Sequence, residues 1–124
     1  IREVPLVGVK TPEQLAAFIL ASLGLSDLKD ERDVKMLLAF LKRKEGIKVS
    51  ELQKVVGLGQ TATYARIKKF LKAGLIYKAK GAVYKLRERS LKDTLDFRVR
   101  KEIERVLDSI IEVAEELDSK MRMR

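Results

Sequence analysis

Cysteine and histidine are both missing from this 124-residue chain. Without cysteine there is no disulfide framework and no thiolate metal site. Without histidine the usual general base and the commonest metal ligand are gone. A hydrolytic triad, an imidazole-ligated zinc and a histidine pH switch are excluded, and no metal or cofactor is expected. Aromatic residues make up only 6% of the chain while Lys, Arg and Glu abound, a balance that fits a thermophile. No apolar run approaches the roughly 20 residues needed to span a bilayer, and no signal peptide is visible. No membrane partner is therefore expected, and the expected place of action is the cytoplasm. The first residue is Ile1 rather than Met, so the chain is expected to have been trimmed or processed.

Charge is what the chain has in quantity, and it is unevenly placed. Residues 42–90 hold 14 Lys/Arg against Glu45, Glu51 and Glu88, a net of +11, whereas residues 1–41 and 91–124 each carry −1. The whole excess of +9 therefore comes from the middle. Segregated positive charge argues for a polyanionic partner, with double-stranded DNA first among the choices. The 46% of hydrophobic residues allows a modest core, enough for one domain with an appended helix.

Three regions follow along the sequence. Residues 1–29 read as an extended stretch (1–10) and a short helix over 12–23. Thr11 is its N-cap, Pro12 its first residue and Gln14 completes a capping box. Leu15, Phe18, Ile19 and Leu23 form its apolar face, and Gly24 stops it. Residues 30–89 begin with a helix from Ser26 or Asp30 to about Lys44, in which Val34, Leu37, Leu38 and Leu41 recur at helical spacing beside Phe40. Its acids (Asp30, Glu31, Asp33) come early and its bases (Lys42, Arg43, Lys44) late, as the helix dipole favours. Ile47–Val49 is a short extended piece. Ser50 is expected to cap a helix running from Glu51 to Val56, Gly57-Leu58-Gly59 is a turn, and Gln60–Ala73 is a second helix ended by Gly74. Strands over Leu75–Ala79 and Ala82–Arg87 form a hairpin around Lys80-Gly81, with Tyr77, Tyr84 and Leu86 facing inward. Residues 90–124 read as one long helix over 91–120, started by Ser90. The fold class is thus mainly α with a small β-hairpin wing.

The stretch VSELQKVVGLGQTATYARIKKFLKAGLIYKAKGAVYKL (49–86) carries a short helix, a Gly-Leu-Gly turn, a helix rich in Thr, Arg and Lys, and an Ala-Gly-Leu-Ile junction into a hairpin. It resembles the winged helix-turn-helix of prokaryotic transcription regulators over residues 30–87. The likeness is to the broad MarR/ArsR/TrmB-like superfamily, small archaeal members in particular. The resemblance implies that the helix over 60–73 enters the major groove and that the wing tip approaches the adjacent minor groove or its phosphates.

On a wheel of residues 60–73, Thr63, Ile67, Phe70 and Leu71 share an inward face. Thr61, Ala65, Lys68 and Lys72 lie opposite, flanked by Tyr64 and Lys69. Groove recognition needs groups that read base edges near the helix N-terminus and cations that meet phosphates along its sides. Gln60, Thr61 and Tyr64 are the candidates for bases, although Tyr64 could equally serve packing. Ala65 lets the helix come close or meets a thymine methyl. Arg66, at the edge, could reach a base or a phosphate. Lys68, Lys69 and Lys72 are candidates for phosphates, as are Lys78, Lys80 and Lys85 of the wing, with Arg87, Lys48 and Lys54 beside them.

In the last helix Val99, Ile103, Val106, Ile110, Val113 and Leu117 are spaced 4, 3, 4, 3, 4, an uninterrupted heptad seam. Leu107, Ile111 and Ala114 widen it. The seam could fold back on its own domain, but the helix is too long for a small winged domain to cover, so a homodimer interface is expected, with the N-terminal helix able to join it. Leu91, Leu95 and Phe97 are expected to dock the start of the helix on the core.

The leading expectation is a homodimeric, sequence-specific DNA-binding transcriptional regulator. A non-specific architectural or chromatin protein is the main alternative, and the expected localisation is cytoplasmic and nucleoid-associated. A winged-helix protein-interaction module and an RNA binder also remain open. An enzyme is not expected, because the acids fall on solvent-facing helix positions and no glycine-rich phosphate loop follows a strand. An unknown small-molecule effector is compatible with the chain, but no polar constellation marks its site.

Overall fold

A computed structural model describes residues 1–6, 8, 10–27 and 30–123. Val7 and Val9 of the expected extended stretch, and Leu28 and Lys29 beside the expected start of the second helix, lie outside the described residues. The element order is α1 (Pro12–Ser22), α2 (Glu31–Lys42), α3 (Val49–Val56), α4 (Gln60–Lys72), β1 (Ile76–Ala79), β2 (Val83–Leu86), α5 (Leu91–Thr94), a π-helical turn (Leu95–Val99) and α6 (Arg100–Arg122). The architecture is mainly helical with one antiparallel hairpin and a long C-terminal helix, the class expected.

Local chemistry sets the helix starts. The Thr11 hydroxyl accepts from the Gln14 N–H while the Gln14 side chain accepts from the Thr11 N–H, so two otherwise orphaned donors are satisfied. Asp30 caps α2 through the Arg32 N–H, and Ser90 caps α5 through the Asp93 N–H. The third helix starts earlier than expected. Lys48, rather than Ser50, is its N-cap, because Ile47 is held by a pair of backbone hydrogen bonds to Tyr84 (2.9 and 2.8 Å) and the chain turns into the helix immediately after. That bridge makes Ile47 a third rung beside β2, so β2 is flanked on both sides.

The core lies where α1–α4 meet the hairpin. Phe40 and Phe70 are fully buried with ring centroids 6.2 Å apart, and Leu20, Met36, Leu37, Ile47, Leu52, Ile67, Leu75 and Ile76 complete the packing around them. Gly46 is needed at the entry to this bridge. Its φ is +113°, and a Cβ there would stand 2.8 Å from Cγ2 of Val83.

Several packing expectations are corrected. In α1 the buried residues are Ala16, Leu20 and Ala21, whereas Leu15, Phe18 and Ile19 stay partly or largely exposed. The small alanines allow close approach to α2, and the larger apolar residues are left on the open side. The hairpin register pairs Ile76 with Leu86 and Ala79 with Val83, so the loop has three residues, Lys80–Ala82. Gly81 and Ala82 both take positive φ, 86° and 58°. Because Ile76 takes the core face, alternation sends Tyr77 to the other face, where the Arg87 guanidinium lies 5.7 Å from its ring. Tyr84 and Leu86 are buried as expected.

The long helix is interrupted by its π turn and emerges from the core there. Thr94, fully buried, donates its hydroxyl to the Ser90 carbonyl (2.8 Å) and accepts from the Glu88 N–H (3.0 Å), tying the helix start to the end of the wing. Val99, expected in the dimer seam, is instead 3% exposed and part of the core. Leu91 and Leu95 dock on the core as expected, but Phe97 points outward at 51% exposure. Past Val99 no residue of α6 is buried.

Candidate nucleic-acid interface

The helix-turn-helix is built by α3, the turn Gly57-Leu58-Gly59 and α4. The turn closes on Gln53, whose carbonyl accepts from the N–H groups of Gly57 (2.8 Å) and Leu58 (3.2 Å). Thr63, Ile67 and Phe70 of α4 are buried, the inward face expected. The Thr63 hydroxyl donates to the Gly59 carbonyl at 2.8 Å, which satisfies the one polar group this face buries. The opposite face is thereby fixed outward.

On that outer face Gln60, Thr61, Tyr64, Ala65, Lys68 and Lys72 are all exposed. The first turn of α4 contains no acid, and its N-cap, Gly59, supplies no side-chain acceptor. The first backbone N–H groups are therefore open to an outside acceptor at the positive end of the helix dipole. In the wing Lys78 and Lys80 are exposed, with Lys80 in the loop, and Lys85 is half-buried on the outer face opposite Tyr77. Lys48 and Lys54 are exposed on α3 and its cap.

Two expected contacts are placed differently. Arg66 turns inward: its Nη1 donates to Asp33 Oδ1 at 2.8 Å and to Asp30 Oδ2 at 3.1 Å, and its side chain is only 17% exposed. Lys69 donates from Nζ to Asp33 Oδ2 and to the Leu25 carbonyl, both at 3.0 Å. Asp33 itself is completely buried, so its charge must be compensated inside the protein, and two cations of α4 do this. Burial alone would raise the Asp30 carboxyl, but the hydrogen bond from Arg66, the cap bond from the Arg32 N–H and the Arg66 charge together hold it below its ordinary value. Burial likewise works against the Arg66 charge, yet the hydrogen bonds and charges of Asp33 and Asp30 raise its pKa further. Sequence reasoning treated these acids as complements of the α2 dipole and missed the network. Its only local signal is the pair of acids three residues apart in the first turn.

Of the 14 cations in residues 42–90, Arg43 (with Glu51), Arg66 and Lys69 are ion-paired. Among the described residues the remaining cations of that stretch, including Lys68, Lys72, Lys78, Lys80 and Lys85, have no carboxylate within ion-pair distance. A surface with unpaired cations around an uncharged, hydrogen-bonding helix front can meet phosphates at its margin and base edges at its centre.

Among the described residues no helix is long and apolar enough to cross a membrane. Comparisons with curated proteins and with solved structures gave no match. Residues 29–77, a stretch that contains α2, α3 and α4 and reaches into β1, match the family model described as winged helix-turn-helix DNA-binding. Element order and family match agree on a winged helix-turn-helix fold, similar over this stretch to winged helix-turn-helix DNA-binding domains.

Proposed function

We propose that the protein is a sequence-specific, double-stranded-DNA-binding transcriptional regulator of the MarR/ArsR/TrmB-like kind, acting as a homodimer and not as an enzyme. The observation that carries this reading is the outer face of α4, where Gln60, Thr61, Tyr64 and Ala65 stand exposed between the unpaired Lys68 and Lys72. Regulation is steric: an occupied promoter element excludes or recruits the transcription machinery. The low aromatic content and abundant Lys, Arg and Glu fit a thermophilic host, the resemblance to small archaeal regulators points to an archaeal one, and the protein works in the cytoplasm on the nucleoid.

The dimer is supported by α6. Ile103, Val106, Leu107, Ile110, Ile111, Val113, Leu117 and Met121 are each 37–66% exposed on one helix. Together they amount to several hundred Å² of apolar surface, more than a monomer ordinarily leaves uncovered and on the scale of one side of a standard interface, about 800 Å². A second copy meets the same stripe with the same stripe, as two-fold symmetry requires. Two recognition helices on one face of a duplex then read a palindromic site with half-sites about 34 Å apart, or a multiple of that. A small-molecule effector, if one controls the protein, would meet it in the apolar groove of about 630 Å³ where Val99, Ile103 and Val106 face Leu23, Leu25 and Ala73.

The test is fluorescence anisotropy on a random duplex and on a duplex selected from a pool, across a salt series. A tighter selected duplex with a steep salt slope supports the regulator. Equal affinities would move the protein to the architectural class, and no binding at low salt would leave a protein-interaction module.

A further inference from the structure

Recognition helices gain sequence-independent affinity from every cation they bring to a phosphate, and that affinity dilutes discrimination among sites. Helix α4 carries Arg66, Lys68, Lys69 and Lys72. The structure brings two of them, Arg66 and Lys69, onto a single fully buried carboxylate, Asp33, with Asp30 taking the second hydrogen bond of Arg66. Resting on the DNA-binding reading above, we infer that Asp33 is a specificity-determining residue: it withdraws Arg66 and Lys69 from the phosphate backbone, so that α4 binds through its base-reading front and through Lys68 and Lys72.

The physical basis is the asymmetry of burial. A phosphate that captured Lys69 or Arg66 would have to strip it from a carboxylate with no solvent exposure, leaving that anion short of a partner in the interior. The exchange is therefore unfavourable even though Lys69 is 42% exposed and looks available from its surface position. Lys68, next to it, has no carboxylate partner among the described residues and is free to move to a phosphate. The two neighbouring lysines thus have opposite roles despite identical chemistry. Because Lys69 also donates to the Leu25 carbonyl, the same contact ties α4 to the segment after α1.

The experiment compares the unsubstituted 124-residue chain with K68Q, K69Q and D33N by anisotropy on the random and selected duplexes across a salt series. K68Q is expected to flatten the slope of log K against log salt by about 0.9 per protomer, the value for one lost phosphate contact. K69Q is expected to leave the slope unchanged, since Lys69 makes no such contact. D33N, with its fold checked by circular dichroism, is expected to steepen the slope by about 0.9 per protomer as Lys69 is released. It should raise affinity for the random duplex about fivefold per protomer at about 0.15 M salt, as that slope implies, and narrow the ratio of selected to random binding. A merely structural Asp33 would weaken both duplexes without changing the slope, and that result overturns the proposal. So does a K69Q slope flattened as much as that of K68Q, which decides the matter even where D33N does not fold. If the unsubstituted chain binds neither duplex, the DNA-binding reading falls first and the inference with it.

Discussion

Ile110→Ala tests the dimer most directly, because its effect on the isolated chain is small. Ile110 is 58% exposed on α6, so more than half of it meets nothing in its own protomer. The substitution removes three carbons, worth about 2.4 kcal/mol if wholly buried at about 0.8 kcal/mol per carbon group. Only the exposed fraction can be newly covered by a partner, which scales the loss to about 1.4 kcal/mol. A two-fold interface contains the substitution twice, so the dimer loses about 2.8 kcal/mol, or roughly 100-fold in its dissociation constant. Alanine is the best helix former, and α6 itself should persist. Sedimentation equilibrium over a concentration series measures the constant, with Glu112→Ala on the charged side of the helix as the control. An I110A protein that dimerises within threefold of the unsubstituted chain would refute the assignment of this stripe. So would an unsubstituted chain that stays monomeric at micromolar concentration.

Gly46→Ala is expected to destabilise the fold by about 2 kcal/mol, since the residue has φ +113° and its new Cβ would stand 2.8 Å from Val83. A urea midpoint equal to that of the unsubstituted chain would refute this. The pair of Asp30 with Arg66 gives a pH-dependent expectation. The carboxyl is held below its unfolded value, so its contribution is present at neutral pH and is lost as pH falls through about 4 and below. Asp30→Asn, which can keep the helix cap, should show a stability deficit at pH 7 that shrinks in acid. Denaturation profiles that stay parallel with pH would rule this out.

The elements were largely readable because their ends are marked locally. Gly59 and Gly74 bracket α4, and the Thr11–Gln14 capping box fixes the start of α1. The inward face of α4 followed from spacing alone: Thr63, Ile67 and Phe70 recur at three and four residues and are buried. Periodicity says which residues share a face but not what covers them, and so it assigns Val99 to the seam although the core takes it. In α1 the run Leu15-Ala16-Ala17-Phe18-Ile19-Leu20 is apolar on several sides, and size favoured the wrong face. The Asp33 network joins residues 33 and 36 positions apart, so the spacing of Asp30 and Asp33 does not reveal which cations they meet. On the candidate surface, chemistry type picked out Lys68 and Lys69 alike, and only the packing of α2 against α4 separates them.

The π turn at Leu95–Val99 sets a phase. Its wider loop accommodates one residue more than an α-helix would over the same rise. Each α-helical residue advances the chain by about 100° of rotation. In an uninterrupted α-helix one extra residue would swing the whole apolar stripe of α6 by about that angle relative to α4; the π turn takes up that residue locally, so the stripe keeps its azimuth. The azimuth at which α6 presents its stripe is therefore held by one helical turn, whose Leu95 and Val99 also anchor it to the core.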